Sequence, residues 1–267
     1  MRRYAVLPLA LLSTAAVAQQ PPRPEVLLNQ VASEVQQQRL YRDIEKLVSF
    51  GTRHTLSSQT DPKRGIGASV RWAETELKKN GLQTLQTCET MEGRRLPGPT
   101  RICNAVAIQR GTERPNDVVI ITGHIDSRVS DVMDFTKDAP GANDDASGTA
   151  AVLEAARVLS KRKFPGTIVC NDKVVRVFSE GPRWQGREAL AAQQRSLGGE
   201  NDAPSRNLSR FLDSLAERLP AIGLDVMQVW RNDRFGRGGD HTEFLNAGYP
   251  AVRFSVAVEN YNHQHQD

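Results

Sequence analysis

Short apolar runs of strand length alternate along this chain with amphipathic segments of helical spacing. Residues 117–122 form a nearly continuous apolar run, which predicts a strand buried on both faces. The alternation predicts an α/β fold with a largely parallel sheet. Helices are predicted over residues 31–48, 66–80, 147–159 and 206–219, and strands over residues 82–88, 104–108, 117–122, 167–169, 174–178, 224–230 and 251–255.

The first 18 residues have the pattern of a secretory signal peptide. Arg2 and Arg3 precede an apolar stretch over residues 4–17, and Ala16-Val17-Ala18 matches a cleavage site that leaves Gln19 first. The stretch is shorter than the roughly 20 residues of a spanning helix. We therefore expect an exported protein, periplasmic or extracellular, with no membrane span after cleavage.

Charge gives no indication of a nucleic-acid partner. Removing residues 1–18 takes two of the 35 basic residues and none of the 31 acidic ones, which leaves a net charge of +2. No basic stripe with interleaved aromatic residues is present.

The three cysteines are Cys88, Cys103 and Cys170. Cys88 and Cys103 flank a segment rich in Gly and Pro that would turn the chain back on itself, so they are predicted to pair in an oxidising compartment. Cys170 is then left as an odd cysteine.

Two internal segments carry groups that could bind a metal. Gly123-His124-Ile125-Asp126 follows the predicted buried strand, where His124 can offer a ring nitrogen and Asp126 can accept the other ring N–H. The alternative for an isolated His-x-Asp is a purely structural role. The segment 141–148 precedes a helix, where Asp145 and Ser147 could simply cap the helix, whereas Asp144 could bridge two divalent ions.

A third segment, His263-Gln264-His265-Gln266-Asp267, is either a solvated end or a source of a further ligand. In order and in flanking sequence, the three segments resemble the zinc exopeptidases of the leucyl aminopeptidase type. Residues 49–55, 239–245 and 247–250 also resemble blocks of that family. The resemblance implies a single domain over residues 19–267, with a zinc-exopeptidase-type three-layer α/β/α sandwich and a mostly parallel mixed sheet.

The resemblance also implies roles for individual residues. His124 would bind one zinc, Asp144 would bridge two zincs, and His263 would bind the other. Asp126 would belong to the catalytic set by orienting His124. The substrates would be peptides with a free N-terminus, and the reaction would be hydrolysis of the first peptide bond by zinc-activated water.

Other histidines and an acidic neighbour receive weaker assignments. Asp240 and His241 would lie near the pocket or have a structural role. His54 has no ligand role in the family, and His265 is expected to be solvated.

The sequence departs from the family in its middle. The family's adjacent Glu-Glu pair, which supplies the catalytic base and a zinc ligand, is absent, because no two glutamates are adjacent in this chain. Residues 166–169 match the start of the strand that leads to that pair, and residues 170–181 resemble a later segment. An internal gap is therefore predicted at the Val169–Cys170 junction, with one further ligand Asp also lost.

The gap leads to several expectations. One zinc is expected in place of two, with little or no peptidase activity. Glu180 and Asp172 are weak candidates for the missing carboxylates. The chain also stops at Asp267, earlier than the family does. Two alternatives remain open, namely a non-catalytic binding protein on the same scaffold and an acyltransferase resembling glutaminyl cyclase, which uses one zinc.

Overall fold

The apolar patterns of the sequence fold into six α-helices and four strands within residues 24–171, 203–229 and 239–255, which the computed structural model describes. The helices are α1 Pro24–Ser33, α2 Gln37–Val48, α3 Ile66–Lys78, α4 Ser147–Leu159, α5 Pro204–Arg218 and α6 His241–Asn246. The strands are β1 Gln83–Gly93, β2 Leu96–Gln109, β3 Arg114–Ile121 and β4 Gly166–Asn171. The predicted signal peptide and the predicted strand at 174–178 lie outside the described residues.

The four strands form one open, mixed sheet in the order β1-β2-β4-β3. β1 and β2 form an antiparallel hairpin, β2 runs antiparallel to β4, and β3 runs parallel to β4. Helix α4 connects the parallel pair β3 and β4, as a parallel connection requires. The predicted α/β class with a mixed sheet is confirmed, and one of the three described strand pairs is parallel.

Helices α2, α3 and α4 pack with one face of the sheet around a common core. The helical stripes predicted from the sequence supply its apolar side chains, and alternate residues of β2 meet them from the sheet. Burying each large aliphatic side chain contributes about 1.5–3 kcal/mol. The buried core includes Leu47, Ile66, Val70, Ala73, Leu77, Ala105, Ala107, Val152, Leu153 and Ala156.

At the break between α1 and α2, hydrogen bonds to the buried Glu154 carboxylate of α4 take the place of helical hydrogen bonds. The carboxylate accepts the backbone N–H of Gln36 at 2.7 Å and the Nε–H groups of Arg39 at 3.3 Å and Arg157 at 2.7 Å. Arg157 also donates to the Glu34 carbonyl at 2.6 Å. The single helix predicted over residues 31–48 is therefore two helices, because these tertiary contacts take the backbone groups that a continuous helix would use.

Two other expectations are wrong for the described residues. β3 is found where a strand was predicted, but Val118, Val119 and Ile120 are 50%, 61% and 44% exposed, so it is not buried on both faces. β3 lies at the edge of the described sheet, and apolar content alone does not specify what covers a strand. Residues 224–229 and 251–255 are not strands, apart from an isolated bridge at Val229. Among the described helices, none is long and apolar enough to cross a membrane.

The cysteine assignment agrees with the structure. Cys88 and Cys103 lie directly opposite each other in the β1–β2 hairpin and form a disulfide, as predicted. Cys170 in β4 is a free thiol and is only 3% exposed. Burial raises the pKa of the Cys170 thiol to about 11, so this residue behaves as a small apolar core side chain.

Replacing both Cys88 and Cys103 by alanine should lower the free energy of unfolding. The bridge closes a segment with a sequence separation of 15, and a loop of that length corresponds to about 3 kcal/mol of unfolded-state entropy. Urea unfolding of the double variant measures the loss. Cys170→Ala is the control, because it removes a buried thiol without removing a cross-link and should cost less. Equal urea midpoints for the double variant and the unmodified protein would contradict the role of the bridge.

Candidate metal centre

His124 lies just past the end of β3, between two carboxylates. Its Nδ1 is 3.2 Å from Oδ1 of Asp126 and also 3.2 Å from the Asp126 carbonyl oxygen. Its Nε2 is 3.0 Å from Oδ1 of Asp144. The imidazole is half-buried, whereas the Asp144 side chain is 72% exposed. The structure thus brings together three of the four residues proposed from the sequence, while His263 lies outside the described residues.

The electrostatics of this group follow from its geometry. Burial alone would lower the pKa of His124, but the hydrogen bonds to Asp126 and Asp144 raise it to about 11. The hydrogen bond from His124 holds the pKa of Asp144 below its ordinary value and outweighs the effect of burial. A protonated imidazole therefore satisfies both carboxylates, since each ring nitrogen can then donate.

The turn that carries Asp144 points its two carboxylates in different directions. Asp144 and Asp145 have non-helical backbone angles within the π-type turn Ala142–Ala146, and the peptide bond between them is cis. Asp145 is only 5% exposed. It accepts the backbone N–H of His124 at 3.1 Å and that of Gly148 at 3.2 Å. Asp144 faces the imidazole, whereas Asp145 ties the start of α4 to the segment after β3.

Asp145 and Ser147 were both predicted as possible caps of α4, and this role applies to Asp145. Asp145 accepts the orphan N–H of Gly148 at the start of α4, as a capping carboxylate does. The Ser147 hydroxyl instead donates to the Asn143 carbonyl at 2.8 Å. Burial raises the pKa of Asp145 to about 7, and the charge of His124 opposes that rise.

The pair His124 and Asp144 fits part of a zinc site. Zinc binds imidazole nitrogen and carboxylate oxygen at about 2.0–2.2 Å, which places two ligand atoms of a tetrahedral ion about 3.4 Å apart. The Nε2 to Oδ1 distance of 3.0 Å is close to that value. Asp126 on Nδ1 is the usual partner for a metal-binding histidine. Within the described ranges no three His, Cys, Asp or Glu residues form a group that could hold a metal ion.

The remaining sequence candidates have other positions. His54 is buried, accepts the backbone N–H of Leu56 on Nδ1 at 3.0 Å, and bonds the Val132 carbonyl through Nε2 at 3.1 Å. This is a structural role. Asp240 immediately precedes α6, and His241 is buried in its first turn. His265, Asp172 and Glu180 lie outside the described residues.

A small cavity of about 210 Å³ borders Asp126. It is below the roughly 300 Å³ at which pockets for drug-sized ligands begin. Its lining combines apolar side chains with a few polar ones: Thr55, Gln59, Ile66, Val70, Ile102, Cys103, Asn104, Ile125 and Asp126.

Sequence reasoning did not single out Arg53, although it is the largest fully buried side chain in the described residues. Burial lowers the pKa of Arg53 to about 10, and Asp126 and Asp145 oppose that shift, so the guanidinium stays charged at neutral pH. No periodicity marks this position, because it lies in a loop between α2 and α3.

Known proteins resemble the chain in both sequence and fold. Residues 104–178, which include β3, His124 and the start of α4, match the profile of peptidase family M28. A probable zinc metalloprotease from Leptosphaeria maculans is 39% identical, and the alignment covers 92% of this chain and 69% of the relative. This chain belongs to peptidase family M28. The expected class of zinc-dependent peptidase is thereby confirmed at the level of the family.

Solved structures support the M28 fold and no more than the fold. A Macrostomum lignano glutaminyl cyclase aligns with a TM-score of 0.60 at 17% identity, over 94% of this chain and 87% of that protein. The Legionella pneumophila LapA aminopeptidase aligns with a TM-score of 0.56 at 19% identity, over 96% of this chain and 71% of that one. The zinc-exopeptidase type of fold is therefore confirmed.

The M28 chain spans about two thirds of the length of the curated relatives it matches. The Leptosphaeria alignment also runs over 299 positions, although it uses only 92% of the 267 residues here, or about 246. About 53 positions of that relative thus have no counterpart in this chain within the aligned span.

The two neighbouring aspartates should respond differently to truncation in zinc-stripped protein. Asp145→Ala leaves two backbone N–H groups without their acceptor, which typically costs about 1–3 kcal/mol. Asp144→Ala removes a mostly exposed carboxylate whose ion pair contributes at most about 1 kcal/mol. Urea unfolding in the presence of a chelator measures both losses. Equal losses would show that Asp145 does not anchor the start of α4.

Proposed function

We propose that this chain is an exported M28 peptidase that binds one zinc through His124, Asp144 and His263 and acts only weakly on the N-termini of peptides. The observation that carries the proposal is the 3.0 Å approach of His124 Nε2 to Asp144 Oδ1, with Asp126 on the opposite ring nitrogen. This arrangement presents a nitrogen and an oxygen ligand side by side, and family membership makes zinc the relevant ion.

The chain's own residues have distinct tasks in this proposal. With zinc bound, His124 would be neutral, and Asp126 would accept Nδ1–H and leave the Nε2 lone pair for the ion shared with Asp144. Asp145 holds the backbone of His124 against the start of α4. The chemistry that zinc supplies in such sites is acidification of the attacking water and polarisation of the scissile carbonyl.

Weak activity follows from the carboxylates that are absent or already engaged. The sequence has no adjacent glutamates, so the family's base and its neighbouring ligand have no counterpart. Asp126 and Asp144 hydrogen-bond His124, and Asp145 accepts two backbone N–H groups. All three of these carboxylates thus already hold a structural or ligand role in the proposal, and general-base help typically contributes 10²–10⁴-fold.

One observation supports the proposed gap at the Val169–Cys170 junction, and another shows that a strand can form across it. The Leptosphaeria relative has about 53 aligned positions that this chain lacks. β4 also continues through the junction, with Val169 opposite Ile108 and Cys170 opposite Ala107. The strand can therefore form although its two halves resemble different parts of the family. Sequencing the transcript and the locus across this junction would show whether the gap is natural.

Export is part of the proposal. The signal-peptide pattern of residues 1–18 motivates it, and the disulfide between Cys88 and Cys103 supports it, because such bridges persist in oxidising compartments.

One zinc per chain should remain after dialysis against zinc-free buffer, and it should be lost in His124→Ala and Asp144→Ala. Three protein ligands and a water complete a tetrahedral zinc site. Elemental analysis of the purified protein gives the ratio. Asp117→Asn is the control. It changes an exposed carboxylate in β3 and should retain zinc. A ratio near two would contradict the loss of the second site, and a ratio near zero in the unmodified protein would contradict the site itself.

Restoring the missing segment from a close relative should raise kcat/KM toward a leucyl anilide, with zinc added, by about 10²–10⁴-fold because it returns a general base. His124→Ala in the restored protein should abolish the gain. Comparable kcat/KM in both proteins would show that another carboxylate already serves as the base. Conversion of an N-terminal glutamine to pyroglutamate, without release of leucine, would assign the chain to the glutaminyl cyclase class instead.

A further inference from the structure

The side chain of Arg53 joins the two segments that carry the candidate zinc ligands. Its Nε donates to the carbonyl of Ile125, the residue between His124 and Asp126, at 2.7 Å. Its Nη2 donates to the carbonyl of Gly141, at the start of the Asp144 turn, at 3.1 Å. Its Nη1 donates to the Leu47 carbonyl at 2.9 Å and the Pro140 carbonyl at 2.8 Å.

These contacts differ from those of an arginine that only fills a core. A guanidinium with no exposed surface is costly to bury, and such groups normally pair with a carboxylate. The side-chain contacts given above are instead to four backbone carbonyls, on the C-terminal end of α2, the segment after β3 and the segment before α4. The planar guanidinium of Arg53 thus links three segments that are distant in the sequence, and we call this set of contacts the brace.

Backbone contacts around Arg53 reinforce the same frame. The Arg53 N–H donates to the Ser127 hydroxyl at 3.2 Å, and the Ser127 N–H donates to the Arg53 carbonyl at 3.3 Å. Gly141 has φ +48°, and a Cβ there would lie 2.8 Å from Nη2 of Arg53 and 2.5 Å from Cβ of Ser127. The glycine thus permits both the left-handed backbone and the close approach of the guanidinium.

We infer that Arg53 is a positioning residue of the zinc site, which fixes the His124 segment against the Asp144 segment before zinc binds. This inference rests on the proposed zinc site. Without the guanidinium, the Ile125 and Gly141 carbonyls lose their common donor, and the two ligands are free to separate. In the brace, the contact to the Leu47 carbonyl anchors Arg53 to the end of α2.

Arg53→Lys tests the inference, with Glu154→Gln as the matched control. Lysine keeps the charge but has one nitrogen, which cannot serve carbonyls in three directions. Glu154 is also buried and ties distant segments together, but its partners are Gln36, Arg39 and Arg157. Both variants should lose thermal stability. Arg53→Lys alone should bind zinc more weakly, by about 10–100-fold as for other residues that orient metal ligands. Competition with a chromophoric chelator measures this affinity.

Hydrogen exchange in zinc-stripped protein gives a readout that needs neither zinc nor activity. In Arg53→Lys, exchange should accelerate in peptides spanning residues 123–127 and 141–148, where the amides of His124 and Gly148 bond Asp145. In Glu154→Gln, the acceleration should fall on residues 34–39 and 154–162. If Arg53→Lys does not fold, Arg53→Gln, which keeps one planar donor group but not the fork, replaces it and should give the same pattern.

The outcomes separate this inference from the proposed function. Zinc affinity in Arg53→Lys equal to that of the unmodified protein, or exchange that accelerates evenly over the chain, would overturn the positioning role. Absence of zinc binding in the unmodified protein would overturn the proposed function, and the exchange pattern would still decide whether Arg53 orders the two segments.

Discussion

The pairing of β4 with both β2 and β3 is the constraint on which the described site depends. Within the described strands, β3 reaches the rest of the sheet through β4 alone. The segment after β3 carries His124, so the position of the imidazole relative to the core is set through that pairing. Cys170 contributes to the same constraint, because its buried side chain lets β4 join the core that α3 and α4 cover. β4 can serve this purpose as long as its core-facing residues, Ile168 and Cys170, remain apolar.

The candidate site holds several negative charges close together. Asp126, Asp144 and Asp145 lie close together, and like charges that are partly buried destabilise one another. The single positive charge of the His124 imidazolium contacts two of them directly, and backbone N–H groups stabilise the third. Arg53 adds a positive charge behind the group without contacting a carboxylate through any of the hydrogen bonds described above. A divalent cation would carry charge of the same sign as His124 and Arg53. Contacts from the surrounding segments therefore hold together the excess of negative charge that suits a zinc ion.

Local sequence patterns predicted the structure correctly where the deciding interactions join residues that are close in the sequence. The bounds of α4 were predicted from its apolar stripe, and the pairing of Cys88 with Cys103 followed from the turn between them. Patterns failed where a distant residue decides. The break between α1 and α2 depends on Glu154, more than 100 residues away, and the exposure of β3 depends on what lies beside it. Arg53 escaped notice for the same reason, because its acceptors at Ile125, Pro140 and Gly141 come together only in the folded chain.

The described contacts also show which part of the proposed site forms without the family's Glu-Glu pair. The contacts that hold His124 and Asp144 come from α2, α4, the Asp145 turn and the loop with Arg53, all of which are present. The Glu-Glu pair that the resemblance to the family implies has no counterpart here, because the sequence contains no two adjacent glutamates. None of these contacts involves a glutamate, so the geometry of His124 and Asp144 does not depend on such a pair. In the proposed function, the ordering of the candidate ligands is therefore separate from the supply of a general base.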